Sequence, residues 1–238
     1  MAFDVDTKDC TALADTELAE MADMVADGPA GFDIGLLSKQ AEEWVLVTQV
    51  RDAGKLAAFS FCTLERIGGT PCLLWGLASV ERSERCKEAL EALVADQYRR
   101  VVLAFPDEDV LVGARFLDAG AFAAFEGLEE ICPRPGHKPS GEERAWSRRL
   151  AKRFGCEGRI DDRSFVVSGD GSPGGAFDYR VATPGGSASG SDAGVAGASD
   201  LQGAALAPLF QAVDPLRRDV LIAFGWAMAE DLADKYGS

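Results

Sequence analysis

The residues Arg82-Ser83-Glu84-Arg85-Cys86-Lys87 bring three positive charges into one turn at the start of a helical pattern. Unpaired backbone N–H groups and the positive end of the helix dipole meet at such a place, so the chemistry on offer is the holding of an anion. Glu81, Glu84 and Glu88 interleave with the bases, and a solvated helix start of mixed charge accounts for the same residues equally well. Cys86 stands at that start, where a thiol can be reactive, yet no histidine lies near it in sequence to serve as a base. Arg144, Arg148, Arg149, Lys152 and Arg153 read first as the solvated face opposite Trp146 and Leu150, and only second as an anion or acidic-partner patch. His137, the sole histidine, sits among Pro135, Gly136 and Pro139 and reads as a loop residue rather than a base. Cys10, Cys62, Cys72, Cys86, Cys132 and Cys156 form no C-x-x-C pair, so no metal site is expected.

These residues need elements to position them. Asp15 or Thr16 caps a first helix that Gly28-Pro29 stops, and a short helical stretch covers Leu36 to Glu43. Trp44 to Val50, Lys55 to Glu65 and Pro71 to Val80 read as three strands of an antiparallel meander. Apolar residues at both parities in the last two imply that both sheet faces are covered. The pattern then predicts a helix over 83–100, a strand over 101–105, a helix from Asp107 or Asp109 through Val112, Phe116 and Leu117, and a strand over 122–131. Beyond Pro133 come an amphipathic helix, Glu142 to Phe154, and a hairpin of 163–168 with 176–181 around the turn residues Asp170 to Gly175. Pro184 to Ser199, rich in Gly, Ser and Ala, reads as a flexible linker. Helices are expected over 201–213 and 215–236, the second carrying Leu216, Val220, Phe224, Met228, Leu232 and Tyr236 on one face. The domains expected are thus a core over 1–132, an extension over 133–183, a linker over 184–199 and C-terminal helices over 200–238.

The order helix, helix, three-strand meander, helix, strand, helix, strand over 12–131 resembles the GNAT acetyltransferase family, and so does the stretch GARFLDAGAF, Gly113 to Phe122. The resemblance implies an α/β (α+β) fold: a mixed, mostly antiparallel sheet covered by helices on both faces, here with a C-terminal helical element. It further implies that the fourth and fifth strands part to admit the pantetheine arm of acetyl-CoA or another acyl-CoA. Leu77, Ala78, Ser79 and Val80 would lie beside that arm, and Arg82, Ser83, Arg85, Cys86 and Lys87 would hold the pyrophosphate. Two departures stand out, because Arg85 and Lys87 occupy positions where the family's loop has glycine, and Phe116 or Leu117 occupies that of its proton-donating tyrosine. Glu65 and Glu81 are the nearest carboxylates in sequence for a general base.

The sequence has 238 residues, enough for one substantial core, and a formal charge of −15. Such a charge repels polyanions and argues against nucleic-acid and anionic-membrane partners. The start MAFDVDTKDC lacks the pattern of a signal peptide and no run is long enough to span a bilayer, so a reducing cytoplasm is expected. One function expected is N-acyl transfer from acyl-CoA to a small-molecule or protein amine. The alternative is a non-catalytic binding or regulatory module that engages a protein partner, or a second copy, through its acidic surface or its C-terminal helix.

Overall fold

The computed structural model describes residues 2–26, 28, 30–179 and 205–237. In chain order the elements are β1 (Asp4–Asp9), α1 (Asp15–Val25), α2 (Ile34–Glu43), β2 (Leu46–Asp52), β3 (Lys55–Ile67), β4 (Thr70–Val80), α3 (Cys86–Ala104), β5 (Val110–Phe116), β6 (Glu129–Cys132), α4 (Gly141–Arg153), β7 (Val166–Val167), β8 (Phe177–Asp178), β9 (Val220–Ala227) and α5 (Ala229–Tyr236). Among the described residues these strands form one sheet in the order β1-β2-β3-β4-β8-β5-β9-β6, with β7 on β9. Pairing is antiparallel from β1 to β4 and from β5 through β9 to β6. It is parallel only where β4, β5 and β8 meet.

Helices cover both faces. Gln49 of β2 donates to Glu17 of α1 at 2.7 Å, whereas its neighbour Thr48 accepts from Gln97 of α3 at 3.3 Å. Adjacent strand residues point to opposite faces, so α1 and α3 lie on opposite sides of the sheet. Trp75 bonds Gln97 and therefore faces α3; its neighbour Leu74 faces the other way, toward Leu150 of α4 across Gly113. On the α3 side, α5 packs through Tyr236 against Tyr98, ring centroids 5.4 Å apart.

The two leading helices and the three-strand meander form, although the cap of α1 is Ala14, with Glu17 accepting from its N–H at 2.9 Å, and Asp15 and Thr16 lie inside the helix. Asp33 caps α2 by accepting from Leu36 N–H at 2.7 Å, and Ser140 with Glu143 forms a capping box on α4. Four assignments made on apolar runs fail. Residues 101–104 are the last turn of α3 and Phe105 is its C-cap, because Val101 continues the buried stripe of Cys86, Leu90, Leu93 and Gln97 at helical spacing. The helix expected through Val112 and Phe116 is strand β5, buried along its whole length. Residues 122–125 of the strand expected over 122–131 belong to a 3-10 turn, Ala119–Phe125, which leaves only Glu129–Cys132 extended. Finally, the 215–236 helix is two elements, β9 and then α5.

The four segments share one feature: a short run that is apolar at most consecutive positions satisfies the helical period and the strand period at once. β5 and β9 lie between other strands and beneath helices, so both of their faces demand apolar residues. The first strand escaped the sequence reading for the opposite reason. Its polar run DVDTKD carries no apolar alternation and is held by tertiary contacts, Thr7 to Thr48 and Asp96 at 2.7 Å and Lys8 to Glu17 at 2.7 Å. The 184–199 linker and the 201–204 start of the penultimate helix lie outside the described residues; from 207 the chain forms a short 3-10 turn, Ala207–Phe210.

Candidate functional site

β4 parts from β5, although the fifth strand is Val110–Phe116 and not the 101–105 segment expected. β4 and β5 pair in parallel from Cys72–Leu111 to Trp75–Ala114, and beyond that point β8 lies between them. Ala78 N–H donates to Ala176 O at 3.1 Å, Ala78 and Ser79 stand opposite Phe177 and Asp178, and Phe116 of β5 stands opposite Phe177 from the other side. The Phe177 ring lies edge-on to Trp75 at 5.4 Å and stacks with Phe116 at 6.0 Å. Tyr179 follows, 2% exposed, with its hydroxyl 3.9 Å from Cys86 Sγ, and burial raises its pKa. The expected hairpin of 163–168 with 176–181 is therefore not formed: β7 pairs with β9 and β8 enters the wedge. Its register there satisfies backbone groups that two diverging strands would leave exposed.

Leu77, Ala78, Ser79 and Val80 line this wedge and are all buried. Arg82, Ser83, Arg85, Cys86 and Lys87 follow in the turn and first residues of α3, so the fold brings the two expected groups to one end of the sheet. The turn is closed on itself. Arg85 N–H donates to Ser83 Oγ at 3.3 Å and Cys86 N–H to Ser83 O at 3.2 Å. The Arg85 guanidinium pairs with Asp52 at 2.6 Å and Glu88 at 2.8 Å and lies 4.2 Å from the Phe3 ring centroid. The hydrogen bonds it donates to Glu88 and Asp52 raise its pKa. Lys87 faces Glu91 at 3.7 Å, and Arg82 is exposed.

Neither carboxylate enters the wedge. Glu81 is ion-paired with Lys55 and its N–H bonds Ala57 O at 2.8 Å. Glu65 stands opposite Cys72, six residues along β4 from Ala78, about 20 Å at strand rise, and binds Arg153 at 2.8 Å. Gly113 to Phe122, expected around a helix after the fifth strand, spans β5 itself and the following 3-10 turn, so Phe116 and Leu117 are not on a helix.

Below the wedge, β4 carries a bulge. Leu77 faces Phe61 and Trp75 faces Cys62, which leaves Gly76 as the extra residue. A Cβ there would lie 1.8 Å from Trp44 Cε2, so the indole demands glycine. Trp44 Nε1 donates to Gln40 Oε1 at 3.0 Å. Arg115 of β5 reaches the bulge, donating from Nη2 to Gly76 O at 2.9 Å. Sequence reading missed Arg115, Phe177 and Tyr179. The first had a signal, one cation inside the apolar run VLVGARF; the other two had none, since nothing local says that their segment crosses the sheet.

Among the described residues no group of three or more His, Cys, Asp or Glu side chains could hold a metal ion, and no helix is long and apolar enough to cross a membrane. No protein-family model matches the sequence, and no curated protein matches it. Solved structures do resemble it. The ribosomal-protein-S18-alanine N-acetyltransferase of Escherichia coli is 18% identical over 58% of this chain and 86% of its own, with a TM-score of 0.37. The ribosomal-protein-alanine N-acetyltransferase of Brucella melitensis biovar Abortus 2308 is 19% identical over 43% and 73%, with a TM-score of 0.31. The NatC complex bound to Gag peptide and CoA is 15% identical over 53% and 83%, with a TM-score of 0.35. The topology of the chain itself carries the assignment: by the order α1, α2, the meander β2-β3-β4, α3 and β5, and by the parting of β4 from β5, this protein has a GNAT-like fold.

Proposed function

We propose that this chain is a non-catalytic binding or regulatory module of GNAT-like fold, in which its own strand β8 fills the slot that an acyl-CoA arm would need. The observation that carries this reading is the pairing of Ala78 and Ser79 with Phe177 and Asp178, backed by the Phe177 ring between Trp75 and Phe116. Other features support it. The Arg85 cation that would meet a phosphate is engaged by Asp52 and Glu88, and no proton donor stands at Phe116. The work of the module is to engage a basic protein partner with its acidic surface, which the charge of −15 favours at long range.

One observation favours acyl-CoA binding and transfer to an amine as a second reading. β8 is two residues long and follows an exposed turn, Ser172 to Gly174, so a competing ligand would have few backbone pairs to displace. A melting experiment decides between them, because a ligand of the native state must stabilise it. With acetyl-CoA at saturating concentration the expected melting temperature is that of the free protein. A rise of several degrees would overturn the non-catalytic reading, and loss of that rise in the Arg82→Ala, Arg85→Ala double variant would place the phosphates at α3.

A further inference from the structure

Among the described residues, Arg115 is a cation that the fold buries without a carboxylate partner. It stands on β5 and is 9% exposed. Its guanidinium donates from Nη2 to Gly76 O at 2.9 Å and from Nη1 to Phe154 O at 3.5 Å, and its carbon lies 4.8 Å from the Phe154 ring centroid. Its Nε is buried with no acceptor. Among the described residues no carboxylate pairs with it. Cys156 and Glu43 favour its charged form without pairing with it, and Glu43 accepts from Gln40 Nε2 at 3.2 Å, while Arg159 and Arg153 add like charge. Burial lowers the Arg115 pKa, yet a guanidinium does not shed its proton in a protein, and a lone buried charge is costly. Carbonyl oxygens are weaker partners for it than a carboxylate would be.

A single turn covers the group. A Cβ on Gly175 would lie 2.5 Å from Arg115 Nη2 and 2.6 Å from both Gln40 Oε1 and Gly76 O, so bare backbone passes across the guanidinium. Gly175 is buried, whereas Ser172, Pro173 and Gly174 are exposed. We propose that Arg115 anchors a carboxylate-bearing ligand at the β4 bulge, and that the Gly174–Gly175 turn is the cover that lifts to admit it. The unused Nε–H beside an Nη donor matches the two oxygens of a carboxylate, and the Phe154 ring fixes the plane in which they approach. This assignment does not rest on the reading of the wedge, since it holds for a module and for an enzyme alike.

The test uses the full chain, melted in sodium acetate exchanged for sodium chloride at constant ionic strength, with inorganic phosphate as a parallel arm. The expected result is a saturable rise of several degrees with acetate, less with phosphate, and none in Arg115→Met. Arg115→Lys keeps the charge but not the two-pronged edge; it is expected to weaken acetate on the order of tenfold, and it carries the test should Arg115→Met fail to fold. No acetate response in the unaltered protein, or one unchanged in the variants, overturns the proposal. A phosphate response that exceeds that of acetate and is lost in the variants overturns the choice of a carboxylate.

Discussion

At the scale of single residues, Glu17 and Glu143 set much of the acid response. Burial alone would raise the Glu17 pKa, but hydrogen bonds from Lys8, Ala14 N–H and Gln49 outweigh it and hold the group at about 2, against an ordinary 4.5. Burial likewise opposes ionisation of Glu143, and bonds from Ser140 and His137 outweigh it, again to about 2. Both values lie below those of the unfolded chain, so the ionised forms favour folding. Their contribution is complete above pH 4.5 and is lost as pH falls toward 2. Urea unfolding over that range is expected to show falling stability, with a shallower fall in Glu17→Gln and in Glu143→Gln; an unchanged slope in both would refute the assignment. Phe177 supplies a second residue-scale prediction. Truncation of a ring enclosed by Trp75 and Phe116 costs about 3–5 kcal/mol when the site cannot collapse. Phe177→Ala should lower the unfolding free energy by that order, and a loss under about 1 kcal/mol would mean that β8 is loosely held.

At the scale of elements, β9 is the strand on which the far half of the sheet depends. It pairs with β5 along seven residues, from Val110–Ala227 to Phe116–Leu221, and with β6 and β7 on its other edge. Ile222, Ala223 and Phe224 are buried, and Trp226 meets Trp146 of α4 edge-on at 6.2 Å. A chain ending at residue 183 therefore bares the β5 edge and the apolar face of α4. It is expected to aggregate, with no cooperative melting transition, as judged by size-exclusion chromatography and circular dichroism. A soluble, cooperatively melting monomer from that truncation would show that the 220–227 segment is dispensable to the sheet.

At the scale of the whole molecule, the excess of 39 acidic over 24 basic side chains acts on stability through self-repulsion. Many of the bases sit in exposed pairs such as Lys55 with Glu81 and Arg66 with Glu108, each of which contributes little. Going from about 0.01 M to about 0.15 M salt shortens the screening length from about 30 Å to about 8 Å, so repulsion across the molecule fades while contact pairs persist. The melting temperature is expected to rise over that interval. A flat or falling response in calorimetry would mean that the local pairs outweigh the net charge.

Taken alone, the sequence determined the fold class, both leading helices and the meander of β2, β3 and β4. It could do so because these features rest on periodicity and turn glycines, which act over a few positions. Tertiary structure alone decided that Val110–Phe116 and Val220–Ala227 are strands, that Phe177 enters the wedge, and that Arg115 ends beneath Gly175. A uniformly apolar run has no face to reveal its period, and Phe177 lies 98 residues beyond Ser79 in the chain, so its place depends on which surface the folded sheet leaves unpaired. Whether a cleft stands open or filled is a property of distant segments meeting, and no local pattern encodes it.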